Sequence, residues 1–544
     1  MAKKEYDVVV VGGGHNGLVA AAYLCRAGLD TLVVEKHTIL GGCSVTEEDI
    51  FPGYKISSAS YVASLFHPTI IKDLNLYDHG LEFLERDPPS FTPFKNGSHL
   101  FSCLRLEDTQ REIARFSPKD AEKYAEYEAT LTRISELVDP LLLMTPPAPD
   151  SNSLPQLWDI LKLGRAARKL DGDFLTALQL TASSVADFVN GWFESEELKS
   201  TLATDGIIGA YAGVESPGTA YVLLHHVMGG ITDKQGTFHR GRWAYVRGGM
   251  GEIPQSIVRS VRAGGYPLDI VTGEAVKRIA IENGEVTGVE LANGDFINSR
   301  TVVSGVDPKI TYQQLIDSEH LQAEFLTQID NYKVNGATVK VNLVLSELPD
   351  FTACPGVEAG PQHTGTIHIC ESLAYMEQAW EDAKHGRASS DPVLDCTIPT
   401  VCDPSLLPPE HPDHHIVNIF AMYGPKELIG GNWTEEGPRF LDRIIAKLAE
   451  YAPNVPDAIV HRQIITPDDL ERRYSLTGGC IFHGTMSLDQ LFWARPLPSI
   501  ARYRGPLGGL YMCGAGTHPG GGVTGIPGLN ASREILRDSS TKPR

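Results

Sequence analysis

The chain has 544 residues, 42% of them apolar and 21% charged, the make-up of a globular protein with several domains or with large discontinuous ones. It carries 47 Lys and Arg against 68 Asp and Glu, a net charge of −21, which argues against a general binder of nucleic acid or of anionic membrane surfaces, since both need basic patches. Its nine cysteines are scattered without a C-x-x-C pair, as in a reducing, cytoplasmic compartment; the first apolar run is too short for a signal peptide, and no stretch offers the ~18 unbroken apolar residues of a membrane span.

Tyr6 to Val11 is a β-branched run, expected of a strand buried on both faces of a parallel sheet. Glycines follow as Gly12-x-Gly14-x-x-Gly17, then a predicted helix over 18–26 with Gly28 past its end, then a second strand over 31–34 that stops at Glu35. This is a complete βαβ unit with an acid about 20 residues after the glycines. Gly12 permits the tight turn, Gly14 lets a pyrophosphate approach the backbone, and Gly17 allows close helix–strand packing. The helix N-terminus favours the phosphates, and Glu35 suits a ribose diol. His15 lies in the same turn, within reach of a phosphate or ribose.

Gly41-Gly42-Cys43-Ser44 comes next, and Tyr61 follows in SASY, as a pocket wall or as packing. Ser117-Pro118 opens a predicted helix that runs to Asp139-Pro140. A proline-rich loop, 145–155, leads to amphipathic helices over 158–170 and 174–193, so that 117 to about 200 forms a helical layer. The uncharged stretch 216–232 reads as core, as pocket lining or as a membrane-facing mouth. Gly248-Gly249-Met250-Gly251 starts another helix. Strands are predicted over 276–281, 286–291 and 301–304, with hairpins at Asn283-Gly284 and Asn293-Gly294. Residues 338–348 and 414–423 read as strands of a further sheet. Glu410, His411, Asp413, His414 and His415 look like a metal cluster but lack the spacing of a helical ligand pair, so no metal is expected.

Near the C-terminus, 510–513 is a short strand, 514–522 a glycine-rich loop, and a helix begins near Ile526 with Pro527 in its first turn. A second helix start of this kind suits the negative charge of a reduced flavin. Together, GGGHNG (12–17), VVEKHTILGG (33–42), RGGMGEIPQSI (247–257), FHGTMSLDQ (482–490) and GAGTHPGGGVTGIPG (514–528) resemble, nearly end to end, the FAD-dependent phytoene desaturase and carotenoid oxidoreductase superfamily. The chain is most similar to the desaturase-derived β-carotene ketolases and the pyridine nucleotide-disulfide oxidoreductase domain-containing proteins.

The resemblance implies an α/β fold: a Rossmann-like FAD-binding domain (1–75, 240–310 and 495–544) interleaved with a substrate domain of helices plus a mixed sheet (76–239 and 311–494). It puts Gly12, Gly14 and Gly17 on the pyrophosphate and Glu35 on the adenosine ribose, with His15 and Asn16 also in the cofactor site. Lys36, Gly41, Gly42 and Val276 belong to the same FAD site, and Gly514, Gly516, Thr517, Gly521, Gly522, Val523 and Thr524 to the flavin end. There is no second G-x-G-x-x-G unit for NAD(P)H. Nor is there a C-x-x-x-x-C redox pair, since Glu48 stands where a partner of Cys43 would be. Electrons would therefore leave directly to dioxygen or a quinone.

Hydride transfer needs placement against flavin more than a strong nucleophile. His518, inside the flavin loop, His483 and Tyr61 are the candidate catalytic residues; each histidine has an alternative reading as a satisfied structural group. The expected activity is desaturation, isomerisation or oxygenation of an apolar, polyene-like or other alkene substrate, with peripheral membrane contact if that substrate is a long lipid. The alternatives are a hydratase or isomerase using reduced flavin without net redox, and a non-enzymatic FAD-stabilised interaction protein.

Overall fold

The computed structural model describes residues 3–147, 164–165 and 171–541. The region 158–170, expected to be helical, thus lies almost wholly outside the described residues. The four valines of Val8–Val11 form the middle of a five-stranded parallel sheet. Its order is Leu510–Met512, Val302–Ser304, Val8–Val11, Thr31–Glu35, Leu268–Thr272. Their alternation explains the run. Val8 and Val10 pack with Leu18, Ile253 and Leu529 from three helices, His15–Arg26, Glu252–Ala263 and Ile526–Thr541. Val9 and Val11 face the other way, into a core with Ile279, Val289 and Ile297. Those residues come from a three-stranded antiparallel sheet, Val276–Glu282, Glu285–Leu291 and Phe296–Asn298. Both faces are therefore covered, as a parallel sheet requires. The first hairpin turns at Asn283 (φ 51°) and Gly284 (φ 80°), the left-handed pair of a type I′ turn.

A second, mixed sheet has seven strands in the order Ile459–Ile465, Thr338–Leu345, His415–Met422, Val393–Thr397, Thr366–Ile369, Ser90–Pro93, His99–Ser102. Only the Thr366–Ile369 and Ser90–Pro93 pair runs parallel. Val339, Val341, Leu343 and Leu345 pack with Phe440, Ile444 and Leu448 of the helix Trp433–Ala449. Period-2 alternation then turns Thr338, Lys340 and Asn342 to the opposite face.

Above that face lies a helical layer: Pro118–Leu142, Phe174–Ala182, Val185–Trp192, Glu196–Ala203 and Thr219–Met228. Ser117 caps the first, accepting the Asp120 N–H at 3.1 Å. That helix does not stop at Asp139-Pro140 as expected but runs on to Leu142. A proline so close to the end removes one hydrogen bond of the last turn and interrupts nothing beyond it. The expected continuous helix over 174–193 breaks at Ser183-Ser184, where Ser184 caps a new helix by accepting the Asp187 N–H at 3.0 Å. Among the described residues, no helix is long and apolar enough to cross a membrane.

Candidate functional site

The glycine turn is built for a backbone approach. Gly12 takes φ 94°, and its N–H donates to Val34 O at 2.8 Å, holding the turn to the second strand. A Cβ on Gly17 would stand 2.3 Å from Gly12 O and 3.3 Å from Val10 Cγ1, so only glycine fits there. Gly14 is the N-cap of the first helix and offers no side chain to its first N–H groups, leaving them for an anion. Opposite it stand Gly41 and Gly42, joined to the turn by the Gly41 N–H, which donates to Gly13 O at 2.9 Å. Glu35 Oε2 accepts the Gly13 N–H at 2.7 Å and Oε1 the His37 N–H at 2.8 Å. Each carboxylate oxygen retains capacity for a ligand hydroxyl. Lys36 donates to Ser475 Oγ at the rim. His15 Nε2 and Asn16 Oδ1 are buried without a hydrogen-bond partner among the described residues. A glycine cradle, an uncapped helix start, an acid at the strand end and orphaned polar atoms together fit a dinucleotide.

The cradle opens into a cavity of about 600 Å³. Gly12, Gly14, His15, Asn16, Gly17, Glu35, Lys36, Gly41, Gly42 and Val276 line one end. Tyr61, His483, Gly522 and Val523 line it further along, and Leu131, Leu202, Leu223 and Phe420 wall a chamber beyond. Leu223, His226 and Val227 place the uncharged 216–232 segment in that wall. The Ser60 N–H donates to Cys43 O at 3.0 Å, which ties Tyr61 to the Gly41-Gly42 segment. Burial pushes the Tyr61 hydroxyl well above the ordinary phenol range.

Apart from Ala515, which also lines the cavity, Gly514 to Gly521 stand behind the wall. Cβ atoms on Gly514, Gly516 and Gly521 would lie 2.6 Å from Gly305 O, 2.6 Å from Pro308 Cδ and 2.0 Å from Phe482 Cδ1. Thr517 Oγ1 donates to Gly514 O at 2.9 Å, and Thr524 Oγ1 accepts the Ile526 N–H at 3.2 Å. Thr524 borders a second cavity of about 380 Å³. His518 does not line the large cavity. Its Nε2 lies 2.9 Å from Leu141 O, and its ring meets Phe492 edge to face at 5.0 Å. Burial lowers its pKa to about 4. Of its two sequence readings, this geometry is that of the structural one.

His483 lines the cavity at φ 55°, and burial lowers its pKa. Arg495, fully buried, fixes this segment: it donates to Phe482 O at 2.7 Å, Gly484 O at 3.1 Å and Ala515 O at 2.8 Å. The two glycine motifs meet where a Cβ on Gly528 would stand 2.1 Å from Asn16 O.

Sequence reasoning missed the floor of the chamber. Lys340 pairs in register with Phe420, Phe420 with Asp395, and Asp395 with His368, giving one row across four strands. Lys340, 2% exposed, has its Nζ 4.5 Å from the Tyr61 ring centroid and 3.2 and 3.3 Å from Asn342 Oδ1 and Asn418 Oδ1. Burial without a carboxylate partner holds its amine well below the usual lysine range. His368 Nδ1 lies 2.6 Å from Asp395 Oδ1, and although burial opposes the charge, the carboxylate keeps the imidazole pKa raised. The polar positions of the 338–345 strand were the only available signal; Arg86 and Asp205, at the same end of the cavity as His368, had none.

All nine cysteines are free, and burial pushes the Cys43 thiol up to about 12, so it is no ready thiolate. His411 and His414 stack at 4.4 Å, with His414 Nδ1 2.6 Å from Tyr54 Oη. Among the described residues no group of His, Cys, Asp and Glu is placed to hold a metal.

Residues 10–78 match the NAD(P)-binding Rossmann-like domain family. Over 557 aligned residues the chain is 41% identical to pyridine nucleotide-disulfide oxidoreductase domain-containing protein 2 of Rattus norvegicus, covering 98% of this chain and 94% of the rat protein. It is 29% identical to one of the limonene dehydrogenase polypeptides of Castellaniella defragrans, covering 98% and 95% of the two chains. Against a lycopene-forming phytoene desaturase of a Paracoccus strain the identity is 25%, covering 97% and 96%. An oxidoreductase from Methanosarcina mazei shares the fold, with a TM-score of 0.59, 16% identity, and 97% and 99% of the two chains covered. The chain belongs to the family of pyridine nucleotide-disulfide oxidoreductase domain-containing protein 2, within the FAD-dependent oxidoreductase superfamily that includes the phytoene desaturases.

Proposed function

We propose that the protein is an FAD-dependent oxidoreductase that removes a hydride and a proton from an apolar, unsaturated small molecule and passes the electrons to dioxygen or a quinone. One observation carries the reading: the dinucleotide cradle and the aromatic chamber are a single cavity, with a buried amine, Lys340, in the chamber floor. Gly12, Gly14 and Gly17 with the helix start would hold the pyrophosphate, and Glu35 the ribose. His15, His483, Gly522 and Val523 would border the flavin. FAD, when bound, supplies the two-electron acceptor. The chain supplies the remainder. Tyr61 and Phe420 present apolar faces that orient the substrate. Lys340, whose amine burial holds well below the usual lysine range, takes up the proton as the new C=C bond forms. The names of the limonene and phytoene relatives support an alkene-bearing substrate class.

The test is anaerobic. Purified protein is titrated with carotenoids and smaller alkenes in detergent while the oxidised flavin band is followed. Bleaching by one class, reversed by air or a quinone, is the expected result; no bleaching by any of them, with FAD bound, would reject it. The acid–base pair His368–Asp395 in the same chamber favours a second reading, isomerisation or hydration without net redox. Turnover by dithionite-reduced protein with no oxidant consumed would establish that reading instead.

A further inference from the structure

The end of the chamber remote from the glycine turn is not apolar. Arg86 lines it and is 2% exposed. Its Nε donates to Trp243 O at 3.2 Å and its Nη1 to Thr366 Oγ1 at 2.7 Å. These use two of the five guanidinium N–H donors, and the group also lies over the Tyr245 ring, 5.3 Å from its centroid. Among the described residues, no carboxylate lies within the 4.0 Å ion-pair distance of Arg86. A buried cation in this state is costly unless something compensates it.

Arg495 shows how the same chain satisfies a structural guanidinium. It is fully buried, and its three nitrogens make six hydrogen bonds to the carbonyls of Phe482, Gly484, Thr485, Gln490 and Ala515. Arg86 makes two hydrogen bonds, rests on the Tyr245 ring and borders the cavity. Beside it, His368 bonds Asp395 through Nδ1 alone, and its other nitrogen has no protein partner among the described residues. Asp205, also at this end, lies beyond ion-pair distance of Arg86, and burial pushes its carboxyl pKa up.

We propose that Arg86 and His368 form a carboxylate receptor, so that the substrate is an unsaturated carboxylic acid with an apolar body rather than a hydrocarbon. The guanidinium fork matches the two carboxylate oxygens. The row Lys340–Phe420–Asp395–His368 crosses three strand spacings, about 14 Å. The carboxylate is thus held at one end while the chain lies over Phe420 and reaches Lys340 at the other. This rests on the reading of the cavity as a substrate chamber, and it names the class of substrate.

The test uses the full-length, FAD-loaded protein and monounsaturated fatty acids from octenoic to oleic acid, each against its methyl ester, by equilibrium binding. Loss of a buried charge contact costs about 2 kcal/mol at least, or about thirtyfold in affinity. The expected result is therefore an acid preferred over its ester by about thirtyfold. That preference disappears in Arg86→Met and is only partly kept in Arg86→Lys, which retains charge without the fork. Equal binding of acid and ester throughout the series, no acid binding at all, or an unchanged preference in Arg86→Met would each overturn the receptor. Should Arg86→Met fail to fold, the native preference and Arg86→Lys decide. The redox reading is scored separately in the same samples. Arg86-dependent acid binding that never bleaches the flavin rejects the redox reading and keeps the receptor. Bleaching by the esters as fast as by the acids does the reverse.

Discussion

Replacing Gly17 by alanine tests the cofactor cradle at its tightest point. The added Cβ would stand 2.3 Å from Gly12 O, where 3.0 Å is the closest real approach. The gap must open by at least 0.7 Å, the difference between those two distances. The helix cannot simply slide away, because the Ile526–Thr541 helix lies against its other side, with Gly528 closed onto Asn16 O. The strain therefore falls on the turn, moving the N–H groups that face the phosphates. Overpacking of this kind costs about 1–3 kcal/mol. If it is felt mainly in the bound geometry, FAD affinity falls about 5- to 150-fold.

The assay is the flavin-to-protein ratio after purification, followed by reconstitution of the apoprotein with FAD under flavin fluorescence. Gly28→Ala is the control. Gly28 ends the same helix at φ 91°, and a Cβ there meets nothing within 4 Å. It should cost roughly 1–2 kcal/mol of stability through its left-handed backbone with no change in FAD affinity. If Gly17→Ala retained native flavin content and native affinity, the phosphates would not lie at this turn.

Three further outcomes are expected. Glu35→Gln places an amide N–H against one of the two backbone donors that the carboxylate accepts and should weaken FAD binding about tenfold or more, read by the same reconstitution. Lys340→Met removes a buried amine without a carboxylate partner, so the urea midpoint should hold or rise while anaerobic flavin reduction by substrate slows at least about a hundredfold; an unchanged reduction rate would remove Lys340 from the proton transfer. His225 is buried, its ring nitrogens make no well-formed hydrogen bond among the described residues beyond a weak contact with the Gly521 backbone, and burial lowers its pKa from 6.5 to about 3. Between those values the unfolded chain binds a proton that the folded chain does not, so stability falls as pH drops. From pH 7 to 5 this amounts to about 2 kcal/mol. The unfolding free energy of His225→Leu should gain that much on the native protein over the same interval, and a constant difference would show that His225 titrates normally.

Much of the nucleotide end was readable from local pattern. A strand buried on both faces, a turn that only glycine can make and an acid at the next strand end are set by residues within 30 positions of one another. Their geometry follows from backbone sterics wherever they occur. The Ser117 cap and the Asn283-Gly284 hairpin were legible for the same reason. The glycine loop at 514–522 was legible as a loop. Which of its residues reach the cavity was not, because Phe482, Gly305 and Pro308 decide that by filling the space behind it.

The chain's own pattern thus determined that a dinucleotide fold exists and where its turn lies. The tertiary structure alone decided what surrounds the substrate. Lys340, Asp395 and His368 become neighbours through strand register across a sheet assembled from distant segments. Arg86 becomes a buried cation only because Trp243 and Thr366 arrive from elsewhere in the chain. His518, conspicuous in its motif, is turned toward Leu141 by a helix 377 positions earlier. Burial and pairing are properties of the packed whole, and no local run of residues encodes them.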